Sequence, residues 1–341
     1  GTSQRHNGTW LEAAFNISVT GASRGILIYD PYIRIEGLQI EIAPSTTWMQ
    51  CIYIVNAEDV RISQNIFTKA NDQNSTGIGG INVWDDDDSL TPHGIKIFNN
   101  IFYNFDEAGN YAISSEDDNL GFANEMYVYN NTIYDCYYGV ILWANGGIND
   151  CYLKNNVVLG CFDSFFGTFE VQSTNNAYSE GADPGSNGVS LSSTLATDYF
   201  FGTRDFHINR NAAYVEEITD SGVNLATDVT ISFTNDIDDE TRPEGASWDI
   251  GADEFISAYG GGIHYIWDSG SSDHYAAIGE NWNNNIAPFG PFYVSIDTTP
   301  DQITWDILTT LEELTMSGTF SGEVTQSETL SVSGLMNVSN G

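Results

Sequence analysis

The sequence predicts an all-β protein in which a parallel β-helix, a solenoid of stacked strands, is followed by a second β-rich module. Three observations lead to this fold class. A short pattern of alternating apolar residues and asparagines recurs at uneven intervals through the first part of the chain. Apolar residues at the 3.6-residue spacing of a helical repeat do not recur. The character of the sequence changes after Phe255, where a glycine run stands.

The repeat consists of two alternating apolar residues, a polar pair that ends in Asn, and another apolar residue. Its copies begin at Ile33, Val60, Ile95, Met126, Cys151 and Val171. The equivalent positions are Ile35, Ile62, Ile97, Val128, Leu153 and Ser173, which are separated by 27, 35, 31, 25 and 20 residues. Alternation with a period of two is typical of strands, and unequal steps indicate loops of changing length. We therefore expect each step to be one turn of a solenoid.

The recurring asparagines are expected to stack at one bend of the solenoid. Rungs lie about 4.8 Å apart, so the amide of one Asn can donate to the amide oxygen of the next. Asn also tolerates the left-handed backbone of a sharp bend. The predicted ladder contains Asn65, Asn100, Asn131, Asn156 and Asn176.

Composition limits the possible partners. The chain carries 47 acidic and 10 basic residues, a net charge of -37, which would repel nucleic acid and anionic membranes. No run approaches the roughly 20 apolar residues of a membrane helix, so we expect no membrane insertion. The four cysteines lack zinc-type spacing and are expected to be core residues, with Cys136 and Cys161 stacked as free thiols.

The Asn-Asn rungs, over about residues 25 to 200, resemble the right-handed parallel β-helix repeat proteins. That superfamily includes pectate lyases, phage tailspikes and many bacterial surface proteins. The stretch from Arg204 to Ile208, Arg242-Pro243, and the stretch from Trp248 to Phe255 resemble the closing segment of β-helix proteins displayed on bacterial surfaces. The resemblance implies a right-handed helix over residues 1–255, with an N-terminal cap and a closing segment, in a secreted protein. It carries no catalytic residue onto this chain.

Residues 256–341 are predicted to form a second β-rich module. The glycines at 260–262 are typical of a linker. Tyr265-Ile266-Trp267-Asp268, Glu280-Asn281-Trp282 and Pro288 resemble a module that opens β-solenoid segments in large bacterial surface proteins. Apolar residues then alternate with Ser, Thr and Gly from Leu311 to Val338. We expect a second solenoid that continues past Gly341 or has its edge capped by a partner.

One candidate binding surface is a stripe of basic and aromatic side chains on the outer face of the first solenoid. Its two columns are Arg34, Arg61, Lys96, Tyr127, Tyr152 and Glu36, Ser63, Phe98, Tyr129, Lys154. An acidic glycan, or an acidic part of a protein, could dock there. The alternative is that a terminal segment or a long loop covers these aromatic residues.

A second candidate is an acidic edge formed by two insertions. Its carboxylates belong to Asp85, Asp86, Asp87, Asp88, Glu116, Asp117 and Asp118, and Trp84 and Trp143 beside them are assigned to glycan or partner binding. Crowded carboxylates repel one another unless a cation bridges them, and Ca²⁺ accepts six to eight oxygens. The hypothesis is a Ca²⁺ site, and the alternative is a solvated acidic edge. A third acidic run, at residues 235–240, is more typical of a solvated turn paired with Arg242, and a metal site is the alternative.

The sequence favours a non-catalytic, secreted, cell-surface protein with a structural or adhesive role. It is expected to bind a polysaccharide, another surface protein or another copy of itself, with Ca²⁺ as a possible requirement. The alternative is a lyase or hydrolase acting on acidic polysaccharide, in which Arg61, Lys96 and Tyr127 could serve a lyase. No feature selects a carboxylate pair for a hydrolase, and the five histidines are scattered.

Overall fold

The computed structural model of the chain describes residues 6, 8–10, 15–21, 23–70, 75–85, 93–117, 123–144, 148–209, 212–243 and 245–255, with eight short strands between residues 264 and 338. The chain divides into two compact units, Gly1–Phe255 and Ile256–Gly341. Within the described ranges, the helices are two 3-10 turns, Ala196–Asp198 and Val215–Glu217. No helix there is long and apolar enough to span a membrane.

The first unit coils through three parallel sheets, which we number in the order that the chain visits them. Sheet 1 contains β1 (Ile17–Thr20), β4 (Gln39–Ala43), β7 (Ile66–Lys69), β10 (Ile101–Phe105), β13 (Thr132–Cys136), β16 (Val157–Leu159), β18 (Ala177–Tyr178) and β19 (Val189–Ser190). Sheet 2 contains β2 (Arg24–Ile28), β5 (Gln50–Val55), β8 (Gly79–Asp85), β11 (Tyr111–Asp117), β14 (Tyr138–Ala144) and β17 (Asp163–Phe166). Sheet 3 contains β3 (Arg34–Glu36), β6 (Arg61–Ser63), β9 (Ile95–Phe98), β12 (Ala123–Tyr129) and β15 (Ile148–Lys154).

This arrangement confirms the predicted all-β fold and the register of the repeat. On sheet 3, the paired positions run through Ile35, Ile62, Ile97, Val128 and Leu153. Each strand pairs with its equivalent one turn later, so loops outside the sheets absorb the unequal steps. The chain is therefore a parallel β-solenoid over the first unit.

The interior of the solenoid is apolar. Columns of Ile, Val and Phe from all three sheets form one buried cluster, and the rings of Phe67 and Phe102 stack with centroids 4.7 Å apart. Cys51, Cys136, Cys151 and Cys161 are buried free thiols, as predicted. Burial raises the pKa of Cys51, so this thiol stays protonated and behaves as a small apolar side chain.

The predicted Asn ladder is present at the bend between sheets 3 and 1. The amide nitrogen of Asn65 donates to Oδ1 of Asn100 at 3.0 Å, and the same bond joins Asn100 to Asn131 at 3.0 Å. Asn131 donates to Asn156 at 3.0 Å, and Asn156 donates to Asn176 at 2.9 Å. All five side chains are buried, so the ladder satisfies polar groups that water cannot reach.

The left-handed backbone of the bend belongs to the residue before each ladder Asn. Gln64, Asn99, Asn130, Asn155 and Asn175 have φ values of 54, 50, 48, 55 and 53°. From the sequence, a single Asn in each pair was expected both to stack and to adopt the left-handed backbone. The structure divides these roles between the two members of each polar pair.

Residues 191–255, which we call the closing segment, pack on the outside of the solenoid. Their apolar residues cover the outer face of sheet 1, where Tyr103 and Leu159 are buried against Phe206 and Ile250. Farther along, Leu225, Ile231 and Trp248 cover part of sheet 3. The solenoid therefore has a second apolar layer beyond its interior core.

The second unit is also β-rich, with parallel pairing throughout its described strands. Its strands are β20 (His264–Ile266), β21 (Tyr293–Ile296), β22 (Ile303–Trp305), β23 (Thr309–Leu311), β24 (Glu313–Met316), β25 (Val324–Gln326), β26 (Leu330–Val332) and β27 (Met336–Val338). One sheet has the order β20, β21, β24, β27, and two further pairs join β22 with β25 and β23 with β26.

Candidate functional site

The stripe residues lie in the predicted register on sheet 3. One column of paired positions is Arg34, Arg61, Lys96, Tyr127, Tyr152, and the other is Glu36, Ser63, Phe98, Tyr129, Lys154. The rings of Tyr127 and Tyr152 stack with centroids 4.9 Å apart. The fold therefore brings all of these residues onto one face.

The closing segment covers much of the second column. Phe98 stacks on Phe233 with ring centroids 4.9 Å apart, and Tyr129 is buried in one cluster with Leu225 and Trp248. This is the alternative that the sequence left open, a terminal stretch lying over the aromatic residues. Tyr129 is thus inaccessible to an external ligand while the closing segment is in place.

Three of the four cations of the stripe, Arg34, Lys96 and Lys154, have carboxylate partners. Asp59 binds Lys96 at 2.8 Å and Arg34 at 2.9 Å, and the hydrogen bond from Lys96 together with Arg34 holds the pKa of Asp59 at about 2. Lys154 binds Asp228 of the closing segment at 2.7 Å. An acidic glycan would have to compete with these carboxylates. Binding of a glycan or a partner by the stripe stays a prediction.

The acidic edge lies on sheet 2. Trp84, Glu116 and Trp143 occupy paired positions on three successive strands, with Asp85 and Asp117 paired beside them. Asp86, Asp87, Asp88 and Asp118 lie outside the described residues, as do the side chains of Asp85 and Asp117. The Ca²⁺ site predicted at this edge therefore stays a prediction.

Aromatic rings line the outer face of sheet 2. The ring of Trp84 meets Tyr53 edge to face with centroids 5.7 Å apart, while Trp143 lies 6.0 Å from Tyr138 and 6.2 Å from Phe166. Trp84 and Trp143 are half-buried, and Phe166 is 43% exposed. The face therefore offers aromatic surface to the solvent on more than one rung.

Polar groups lie between these rings. Asn82 donates to Glu116 Oε1 at 2.8 Å and to the Tyr111 hydroxyl at 3.0 Å, and Gln50 also donates to that hydroxyl at 3.1 Å. Three buried acceptors, Gln50 Oε1, Asn82 Oδ1 and Ser114 Oγ, have no hydrogen-bond partner in the described part of the chain. We call this mixed aromatic and polar face the sheet 2 platform. Its partly exposed members are Trp84, Glu116, Trp143 and Phe166, and beneath them lie the buried residues Gln50, Tyr53, Asn82, Tyr111 and Ser114.

Sequence reasoning found only part of the platform. It identified Trp84, Trp143 and Glu116 because they flank the acidic insertions. Tyr53 and Asn82 were missed. These two residues pair on the adjacent strands β5 and β8 and face outward, as Trp84 does. The signal was present, because Asn82 stands two residues before Trp84, and residues two apart face the same side of a strand.

A third group of functional side chains lies in the closing segment. His207 Nδ1 is 2.5 Å from Asp205 Oδ1, and His207 Nε2 is 3.1 Å from Asp238 Oδ2. Asp253 lies in the same cluster. Burial lowers the pKa of His207, but the charge of Asp205 and the hydrogen bonds to Asp205 and Asp238 together raise this pKa well above its usual value. Burial also raises the pKa of Asp253 to about 7.

The interpretation of residues 235–240 as a solvated turn paired with Arg242 was wrong. Asp236 is fully buried, and its carboxylate accepts backbone N–H groups from Asp238, Glu240 and Glu254. Arg242 is buried and pairs with Glu254 at 2.9 Å instead. A run of acidic residues looks solvated in isolation, but tertiary contacts bury Asp236, while Asp238 and Glu240 are half-buried and Asp239 is exposed.

No family model, curated protein or solved structure matches the chain. The fold and the three groups of side chains are thus the basis for a functional proposal.

Proposed function

We propose that the first unit is a non-catalytic carbohydrate-binding solenoid, part of a secreted bacterial surface protein with a pectate-lyase-like type of helix. The observation that carries this proposal is the row Trp84, Glu116, Trp143 on successive rungs of sheet 2. The similarity of the closing segment to surface-displayed β-helix proteins supports the secreted setting, and the net charge of -37 is compatible with it.

The row matches the chemistry of a sugar chain. Successive strands are about 4.8 Å apart, so the two Trp side chains start roughly 10 Å apart along the solenoid axis. Apolar C–H faces of sugar rings pack on aromatic rings, while hydroxyl groups donate to carboxylate and amide oxygens. The platform supplies both, since Glu116 lies between the two Trp residues and Asn82 Oδ1 lacks a partner among the described residues.

The charge of the platform favours an uncharged polymer. Glu116 and the neighbouring Asp85 and Asp117 positions would repel a uronate chain, unless Ca²⁺ bridges the two. Of the sheet 3 cations that could attract such a chain, Arg34, Lys96 and Lys154 are engaged by Asp59 and Asp228. We therefore propose a neutral polysaccharide as the ligand, with acidic polymers bound only in the presence of Ca²⁺.

Affinity electrophoresis through gels that contain neutral or uronate polysaccharides tests the proposal. We expect retardation by at least one neutral polymer, and a loss of affinity of about tenfold or more in Trp84→Ala and Trp143→Ala, because an aromatic contact contributes on the order of 1 kcal/mol beyond its buried area. Runs with Ca²⁺ and with EDTA test the requirement for the ion in binding acidic polymers.

Trp48→Ala is the matched control. Trp48 is 60% exposed and lies in the bend that precedes β5, at the opposite end of that strand from Val55, the partner of Trp84. This variant should bind like the unaltered protein. Retardation that survives both platform substitutions would overturn the assigned site, and release of reducing or unsaturated sugar ends would overturn the non-catalytic role.

A further inference from the structure

We propose that His207, Asp238 and Asp253 bind a divalent transition-metal ion such as Zn²⁺ or Mn²⁺, and that this ion fastens the closing segment. The ligand atoms of these three residues lie within 4.8 Å of one another. They come from three separate stretches of the closing segment. An ion held by all three would therefore cross-link turns that share no strand pairing.

Two buried carboxylate oxygens that lack a hydrogen-bond partner among the described residues support a cation site in this cluster. Asp253 is only 4% exposed, and its Oδ2 accepts the backbone N–H of Ile208 at 2.7 Å. Its Oδ1 is buried and makes no hydrogen bond within the described ranges, and the same holds for Asp238 Oδ1. An unpaired buried carboxylate oxygen is costly, and a cation is the partner that removes this cost for both residues at once.

The histidine is oriented as a metal ligand would be. Its Nδ1 faces Asp205 at 2.5 Å, which leaves Nε2 directed toward Asp238. A carboxylate bound to the second ring nitrogen is the usual outer partner of a metal-bound His, since it fixes the tautomer and makes the ligating nitrogen more basic. One imidazole with two carboxylates suits Zn²⁺ or Mn²⁺, whereas Ca²⁺ prefers oxygen ligands.

Carboxyl groups outnumber cationic groups around the cluster. Asp205 and Asp236 adjoin the three ligands, and Arg242 is engaged by Glu254 and by the carbonyl oxygens of Gly251 and Ala252. A divalent ion would give several of these carboxyl groups one positive partner. No comparable compensation is available from the solvent at Asp253, because the residue is almost fully buried.

The N-terminal stretch closes the cluster on one side. Gly8 has φ of +83°, and a Cβ on this residue would lie 2.7 Å from His207 Nε2. Gly therefore permits close approach of the backbone to the ligating nitrogen. An ion in this position would also stabilise the contact between the N-terminal stretch and the closing segment.

Titration calorimetry of the metal-free full chain with ZnCl2, MnCl2 and CaCl2 tests the proposal. We expect one Zn²⁺ or Mn²⁺ per chain and a rise in Tm of about 5 °C or more when the free ion exceeds its Kd 100-fold. Asp253→Asn and His207→Gln should each lose this binding. Circular dichroism establishes that the variants remain folded.

Asp228→Asn is the matched control, because Asp228 lies in the same segment but pairs with Lys154. It should retain the stoichiometric site. The absence of saturable Zn²⁺ and Mn²⁺ binding would overturn the proposal, as would binding that persists in both ligand variants. These outcomes are independent of carbohydrate binding, which involves sheet 2 residues only.

Discussion

The solenoid and the closing segment bury polar groups by opposite means. In the solenoid, one residue type is stacked on itself, so a single pattern of hydrogen bonds is repeated from Asn65 to Asn176. In the closing segment, each buried group has its own arrangement, as in the bonds of Arg242 to Glu254, Gly251 and Ala252. A structure built from repeated contacts can therefore be predicted from its sequence, whereas contacts that occur only once cannot.

The two regions meet at the bend. Outward amides of the residues that precede the ladder bind the closing segment: Asn99 donates to Asn235 O, Asn130 to Gly251 O, and Asn175 to Ser221 O. Each polar pair therefore contributes one amide to the interior and one to the outer layer. This division can be tested by changing one member of a pair at a time.

The largest effect is expected for Asn100→Ala. The change removes donors to the carbonyl oxygens of Ile62 and Phe98 and leaves the buried N–H of Asn65 without its acceptor. Several unsatisfied buried groups at about 1 to 3 kcal/mol each should lower the free energy of unfolding by about 4 kcal/mol or more. Urea denaturation followed by circular dichroism measures the loss; a change below about 1 kcal/mol would contradict the structural role of the ladder.

Arg242→Met is expected to be the next most disruptive change. It leaves Glu254 buried without its partner and removes hydrogen bonds to three backbone carbonyls, those of Asp249, Gly251 and Ala252. Breaking a buried ion pair costs roughly 3 to 5 kcal/mol, and we expect about 3 kcal/mol because Glu254 can take up a proton. The same denaturation measurement applies. The double variant Arg242→Met with Glu254→Met should recover part of the loss, and equal loss in both would argue against the ion pair as the cause.

A pH dependence of the free energy of unfolding, intermediate in size per pH unit, is expected from Asp249. Burial and the nearby charge of Glu254 raise its pKa to about 8, compared with about 3.9 in an unfolded chain. Between these values the folded protein holds a proton that the unfolded chain has released. The free energy of unfolding should therefore fall as the pH rises from about 4 to about 8, by up to about 1.4 kcal/mol per pH unit. The stability contributed by Asp249 is fully present below about pH 4 and is lost by the time the pH passes 8.

Urea denaturation at pH 5, 7 and 8.5 in EDTA measures this slope, and Asp249→Asn should flatten it. A difference between the two proteins that grows in favour of the unaltered chain as the pH rises would have the wrong sign and would refute the assignment.

The smallest effect is expected for Asn99→Gly, the matched partner of the ladder change. Gly accepts the φ of 50° without steric cost, and the change removes one side-chain bond, to Asn235 O at 2.6 Å. We expect a loss of about 1 kcal/mol. A loss as large as that of Asn100→Ala would show that the outer contacts matter as much as the interior ladder.

The sequence predicted the solenoid well because its signals are periodic. Ile97 and Val128 could be aligned across a 31-residue step because the flanking Asn pairs fixed their positions. The division of roles within each pair was missed because Asn suits both a left-handed bend and an amide stack. The pair Gln64-Asn65 indicated this division, because Gln64 occupies the bend position and only Asn65 stacks.

The position of the closing segment in the sequence could be predicted, but its side-chain contacts could not. Its motifs indicated where the helix ends, yet no pattern showed that Phe233 would cover Phe98 or that Asp236 would be buried. The Phe233–Phe98 contact joins residues more than 100 positions apart, and the contacts of Asp236 follow no repeat, so neither can be predicted from a periodic pattern. The sheet 2 platform lies between these cases, because register predicted Trp84, Glu116 and Trp143 while the packing of Tyr111 did not follow from it.

The amide column has a direction. Each amide oxygen of the ladder accepts from the N-terminal side, beginning with the N–H of Leu38, and the amides from Asn65 to Asn156 each donate to the next amide oxygen on the C-terminal side. Each of these amides also donates to a carbonyl oxygen one turn back. Aligned dipoles of this kind reinforce one another. A polymer that grew by continuing the column would have to add each subunit in the same orientation, which leads to an open filament and not to a closed two-fold pair.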